Sequence, residues 1–334
     1  MNKLLENVLQ ANIYLQPVQF FLVITTNIIN IRILSSRALR SSPCTYYFLA
    51  YAIFSIIYSC LACSTQFLRG FHIDWANNKI GCKLHFYLIF VAPVQGKIML
   101  LFASFDRYCS SSQSRHLHSR STIQTAKLNI LIGSILSAIY MLPMLVIYQW
   151  NESSKKCLQR SAILIHLYTL SQVIFYYILA PILMLIFGLL TIFNIRQQST
   201  RAKILTTSIQ RRRTEGQLAR MLILQVSVHL ILVLPFGVTY SMNAFIPSTR
   251  TTNILAVRYI LVLWQQCDYF VSFFLYILSG SVYREEFYRI LKSLRWHNTP
   301  PIQSLISQRK IVKDELSRVT NYILSSMEIR GVSV

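Results

Sequence analysis

Seven long apolar stretches separated by short polar segments constrain this chain more than any other feature of it. A hydrocarbon core of about 30 Å takes roughly 20 helical residues to cross. Stretches of that length run near residues 13–35, 43–68, 79–109, 123–149, 163–196, 217–246 and 253–279. Lipid offers backbone N–H and C=O groups no partner outside their own segment, so each stretch is expected to be a helix. A closed barrel would need short alternating strands, which the sequence lacks. Only 13% of the 334 residues are charged and 54% are hydrophobic, against about 25% charged in soluble domains. The formal net charge of +22 does not mark a nucleic-acid binder, because the basic residues lie between apolar runs and not on a polar domain face. No repeat of about 20 to 50 residues is present. Pro143, Pro181 and Pro235 fall inside spans and are expected to kink helices, not end them.

Lys and Arg placement sets the expected orientation. Arg32, Arg37 and Arg40 flank the first connection, Arg115, Arg120 and Lys127 the third, and Arg201, Lys203, Arg211, Arg212 and Arg213 the fifth, which puts these loops in the cytoplasm. Lys79, Lys83, Lys155, Lys156 and Arg160 on the opposite side make the bias imperfect. The expected chain is an all-α membrane protein: a short extracellular N-terminus (1–12), a seven-transmembrane helix bundle (13–279), a short amphipathic eighth helix on the membrane surface (280–295) and a cytoplasmic tail (296–334). In the eighth helix Phe287, Ile290, Leu291 and Leu294 oppose Arg284, Arg289, Lys292 and Arg295. Residues 1–12 lack the apolar core of a cleavable signal, so the first span is expected to direct insertion. Of seven cysteines, Cys44, Cys60, Cys63, Cys109 and Cys267 fall in or against spans. Cys82 and Cys157 lie on the expected outer side, where cysteines tend to pair. Asn151-Glu152-Ser153 is a glycosylation sequon on that side, a weak signal alone.

The third stretch ends in Phe105-Asp106-Arg107-Tyr108. An acidic and basic pair at a membrane boundary is costly unless it has a function. Cys82 lies 25 residues before Arg107, span one carries Asn27, spans five and six carry Pro181 and Pro235, and Tyr276 follows Ser272-Phe273-Phe274-Leu275 near the end of span seven. Each item is weak alone, but in this order and spacing the chain resembles the rhodopsin-like seven-helix receptors that couple to heterotrimeric G proteins, over about residues 13–294.

That resemblance implies a Cys82–Cys157 disulfide tying the top of span three to the loop after span four; two free thiols are the alternative. It implies a cytoplasmic latch in which Arg107 pairs with Asp106 and with Glu215, 20 residues before Pro235, and which opens as agonist and G protein bind. Thr214-Glu215-Gly216-Gln217 also fits a helix start, with Glu215 solvated. Departures fall on the elements that join ligand to latch. Ser55 stands at the place of a sodium-binding aspartate, Val233 at that of the span-six tryptophan and Phe273 at that of the span-seven proline, and no tryptophan lies near residues 132–134.

Lys97 and Asp268 lie deep in the bundle, where ionisable groups are expected to be partnered, and are expected to interact directly or through water unless each finds separate partners. His229 reads as a packed core residue with no second metal ligand at helical spacing. Asn27, Ser55 and Ser272 complete the expected polar core. Ile89 replaces the aspartate of amine receptors and span seven has no lysine for retinal, which disfavours amine and light sensing. Tyr148, Trp150, Tyr240, Arg258, Tyr259 and Trp264 suit a peptide ligand, with Arg258 placed to meet a carboxylate, though outer aromatics also serve as interfacial anchors and Arg258 can snorkel to headgroups. Serines and threonines of the tail, Ser304 to Ser326, offer sites for a receptor kinase and arrestin, or the basic tail simply lies on anionic membrane lipid. No cofactor, metal, nucleic acid or catalytic constellation is expected. A non-coupling receptor-like protein and a transporter or channel remain as alternatives, the latter with only Lys97, His229 and Asp268 as a sparse polar path.

Overall fold

Seven helices long and apolar enough to cross a membrane are present in the computed structural model, which describes residues 3–73, 78–153, 156–159, 162–201, 209–249 and 251–297. In chain order the helices are α1 Lys3–Leu34, α2 Arg37–Arg40, α3 Pro43–Gly70, α4 Lys79–Ser111, α5 Arg115–Arg120, α6 Ile123–Met141, α7 Met144–Ile147 and α8 Ala162–Gln172. A π-helical turn, Val173–Leu179, leads into α9 Ala180–Arg201, followed by α10 Ile209–Phe245, α11 Thr252–Gln266, α12 Asp268–Ser279 and α13 Ser281–His297. Residues up to Arg284 form one unit and those from Glu285 another. Within the second, Arg289 pairs with Glu286 at 2.9 Å.

The third span, α4, touches α3, α6, α9 and α10 and is the axis of the bundle. On α6 only Ala126, Gly133, Ser137 and Met141 are buried, one narrow stripe at helical spacing, while Leu128, Leu131, Ile135, Leu136 and Ile139 face outward. Lipid tails are as apolar as leucine, so a span gains its packing from small residues that let backbones approach. At Gly133 a Cβ would fall 2.7 Å from Phe102, which explains why no tryptophan stands here. Gly133→Trp is therefore expected to cost about 1–3 kcal/mol by overpacking, measurable as a lowered melting temperature of the detergent-solubilised protein.

The prolines act in three ways. Pro235 is accommodated inside a continuous α10. Pro181 has no N–H for the carbonyl four residues back, and the helix just before it widens: the Ala180 N–H bonds the Phe175 carbonyl, five residues back. This turns Tyr176 and Tyr177 inward, and Tyr177 lies where a Cβ on residue 237 would be 2.5 Å away, so Gly237 is required there. Pro143, expected to kink its span, instead separates α6 from α7.

The first span also differs from expectation. Its helix begins at Lys3, not near residue 13, because Leu5, Val8 and Leu9 pack with Ala256 of α11. After α7 the chain forms a hairpin, β1 Tyr148–Asn151 against β2 Lys156–Gln159, with Trp150 opposite Cys157. Cys157 is disulfide-bonded to Cys82, joining this hairpin to the start of α4 as expected. The five other cysteines are free thiols.

Candidate functional site

At the Arg107 end of the bundle, Asp106 Oδ2 accepts from Arg107 at 2.8 Å, and both side chains are buried. Ser121, ahead of α6, donates to Asp106 Oδ1 at 2.7 Å, while Arg107 also donates to Ser42, ahead of α3, at 3.0 Å. The ion pair is thus tied to both neighbouring connections, which satisfies charges that would be expensive alone. Tyr108 stacks on Phe187 of α9, centroids 5.8 Å apart. Glu215 belongs to α10, but its side chain lies outside the described residues.

The Tyr276 hydroxyl donates to Gln225 of α10, which pins the seventh span to the sixth. Tyr283 donates likewise to Asn30 of α1. Sequence reading passed over Gln225 and Asn30, which carry no motif and are recognisable only once their helices face these tyrosines.

The polar core is organised around Asp268. Its Oδ2 meets His229 Nδ1 at 2.6 Å and accepts from the Tyr51 hydroxyl at 3.3 Å, with His229 and Asp268 both buried. Lys97 makes no direct pair with Asp268. Its ammonium lies over the Tyr176 ring, 4.9 Å from the centroid, because it projects toward the π-helical turn while Asp268 faces α10. His229 is therefore buried as expected, and hydrogen-bonded to Asp268. No group of three or more His, Cys, Asp or Glu side chains able to hold a metal occurs among the described residues.

Helix seven breaks at this place. The Cys267 N–H turns to the Gln265 and Trp264 carbonyls, separating α11 from α12, and the Leu263 carbonyl instead accepts from Gln19 Nε2 of α1 at 2.9 Å. Gln16 Nε2 donates to Gln266 Oε1 at 2.9 Å beside it. Phe273 thus needs no proline beside it to interrupt the span; the interruption lies six residues earlier, at Asp268's own turn. Asn27 Nδ2 donates to the Tyr269 carbonyl at 2.8 Å and to the Val23 carbonyl at 2.9 Å. Ser55 spends its hydroxyl on the Tyr51 carbonyl at 2.8 Å, and the Ser272 hydroxyl is buried without a partner. The carboxylate missing at Ser55 on span two is supplied, in a different pairing, by Asp268 on span seven.

At the Cys82 end a cavity of about 180 Å³ opens among α3, α4, the π-helical turn, α10 and α11. Of the residues expected at a pocket, Ile89, Tyr240 and Arg258 line it. Tyr148 lines it too, stacked on Phe86 at 3.9 Å and carried there by the disulfide-held hairpin. Tyr259 instead packs against the Leu5, Val8 and Leu9 cluster. Trp264 is half exposed on the outside of the bundle, its Nε1 donating to the Ile231 carbonyl at 3.2 Å, and Trp150 lies in a separate groove beside Lys83. Sequence reading missed Arg69, His85, Gln172 and Tyr176, which also face the cavity. The Arg258 guanidinium lies over Tyr240 at 5.2 Å and that of Arg69 over Tyr259 at 5.6 Å. Among the described lining residues there are two arginines and no carboxylate.

A seven-helix bundle with a disulfide from span three to a hairpin, an Asp-Arg-Tyr ion pair at the opposite end and a polar core between them is the architecture of a receptor. The chain matches the seven transmembrane receptor (rhodopsin family) model over residues 26–268 and belongs to that family, one of receptors and not of enzymes. No curated protein matches it significantly.

Proposed function

We infer that this multi-pass membrane protein is a G-protein-coupled receptor at the cell surface whose ligand is a peptide presenting a carboxylate. The observation that carries the ligand class is the cavity at the Cys82 end, lined by Arg69 and Arg258 over tyrosine rings with no acidic residue among its described lining. A volume of about 180 Å³ is below the roughly 300–1,000 Å³ of sites that enclose whole small ligands. It suits the terminus of a larger one. In this reading residues 1–12 and the hairpin face outward, with Asn151 at the hairpin tip available for glycosylation, residues 13–279 span the membrane, 280–295 lie on the inner leaflet and 296–334 form the cytoplasmic tail that a kinase and arrestin engage. Asp106, Arg107, Tyr108, Glu215 and Tyr276 form the latch that the G protein displaces.

The Gln225–Tyr276 and Asp106–Arg107 contacts support a closed inner face, to which ligand and G protein are reciprocally coupled. The test is a screen of transfected cells with G-protein dissociation as readout, using peptides with free and with amidated C-termini. Free-carboxylate peptides are expected to act, and Arg258→Gln to shift their potency by tenfold or more, about what one charge-assisted hydrogen bond contributes. A response confined to amines or amidated peptides would overturn the ligand class, and no coupling with any peptide or basally would overturn the function.

A further inference from the structure

A second cavity, of about 530 Å³, lies between α4, α6, the π-helical turn and α9. Its walls include Ile98, Leu101, Leu136, Phe175 and Leu183, and one cation, Lys97, closes its inner side. Leu136 and Phe175 at its rim are more than half exposed on the outer face of their helices, so the cavity opens to hydrocarbon and not to water. Of the hydroxyls that line it, that of Ser137 donates to the Ser134 carbonyl at 3.0 Å and that of Tyr140 bonds Ser171 at 2.7 Å. Lys97 is only 4% exposed, and its ammonium has the Tyr176 ring but no hydrogen-bond acceptor among the described residues. Lys97 lies 15 residues past Cys82 and 10 before Arg107, about 22 Å and 15 Å at the helical rise, near mid-bilayer. A cation there without an anion is costly.

The geometry points to a membrane-accessed binding site for a long-chain carboxylic acid, with the acyl chain in the cavity and the carboxyl group on Lys97 Nζ. The volume is within the range of sites that enclose small ligands. Access only through lipid selects an acyl body. The head group must pair with Nζ and also cross hydrocarbon, which a carboxylic acid does in its neutral form and a phosphodiester does not. The acid arrives neutral at an ammonium, so on docking the carboxyl oxygen releases its proton to bulk water and leaves an ammonium–carboxylate pair of no net charge. Tyr176 lines both this cavity and the one at the Cys82 end, so an acid that takes its place on Lys97 also bears on the shape of the second site.

The probe is palmitic acid with a terminal diazirine, photolysed with the full-length protein in phosphatidylcholine nanodiscs. Labelling is expected on α4, α6 or α9, competed by palmitic acid and not by methyl palmitate, which cannot form the neutral ion pair. Lys97→Met is expected to lower it about tenfold. Leu101→Trp, which keeps the amine and fills the cavity, is expected to lower it as far, both variants retaining the thermal melt of the parent. Labelling that the methyl ester competes equally, or that survives Lys97→Met, would reduce the cavity to a contact of annular lipid and overturn the proposal. Because the readout is binding, it is independent of whether any peptide activates the receptor.

Discussion

Asp268→Ala is expected to destabilise the protein by about 3 kcal/mol, the upper end of the cost of leaving a buried polar group unpaired, since two groups lose their acceptor at once. His229 would keep its Nδ1 in the core with no acceptor, and the Tyr51 hydroxyl would lose its carboxylate at the same point. The effect should exceed that of removing Tyr51 alone, whose contact is a longer hydrogen bond of 3.3 Å. Asp268→Asn keeps an acceptor and should cost much less. The double variant His229→Leu, Asp268→Leu removes both polar partners and should recover most of the loss, since replacing both members of a buried hydrogen bond by apolar groups can be nearly neutral. Melting temperatures of the parent, His229→Leu, Asp268→Leu and the double variant in one detergent make the cycle. Additive losses in the single and double variants would show that the two side chains do not act as a unit.

The same pair shows where sequence reading stopped. All seven spans were legible because lipid demands a continuous apolar helix, and that demand is written one residue at a time. Azimuth is not. Lys97 and Asp268 were matched by depth, but Lys97 projects at Tyr176 and Asp268 at His229, and those directions depend on how the helices are rotated and on the π-helical turn. Ile89, Tyr240 and Arg258 were recognisable from their place along the spans. Arg69 and Tyr176 were not, since one closes a span and the other is turned inward by the widened turn before Pro181. The early start of α1 was hidden for a related reason: Leu5, Val8 and Leu9 are ordered by packing on Ala256, which a hydropathy pattern does not register.

The altered positions do not share one site: Val233 packs in the core cluster with Tyr176, Phe273 against Tyr283, and Ser55 bonds the Tyr51 carbonyl. Asp268 takes up the charge absent at Ser55, and the break at Cys267 does at α11 and α12 what a proline at 273 would do two turns later. The Gln16 and Gln19 contacts make α1 a partner of that break. A movement of helix seven at this break would reach Asp268 directly and the Gln225–Tyr276 contact within the same helix.

Cys82→Ser is expected to cost about 2 kcal/mol of stability and to lower the potency of any ligand of the outer cavity. A disulfide acts mainly by restricting the unfolded chain, and a closed loop of 75 residues would contribute about 4–5 kcal/mol in the chain-entropy relation for a free polymer. Here the loop contains most of α4 and all of α6, which stay inserted when the bundle comes apart, so much of that entropy is already absent and the lower figure follows. Function should suffer more than stability. The bridge holds Cys157 and, across the strand pair, the Tyr148 side chain that stacks on Phe86 in the cavity wall. A further tether of the hairpin, Lys79 to Glu152 at 2.6 Å, is a solvent-exposed pair and cannot substitute for it. Cys157→Ser and the double variant should match Cys82→Ser in both melting temperature and potency, because the two sulfurs form one bond. A double variant markedly worse than either single one would mean that a cysteine has a separate role.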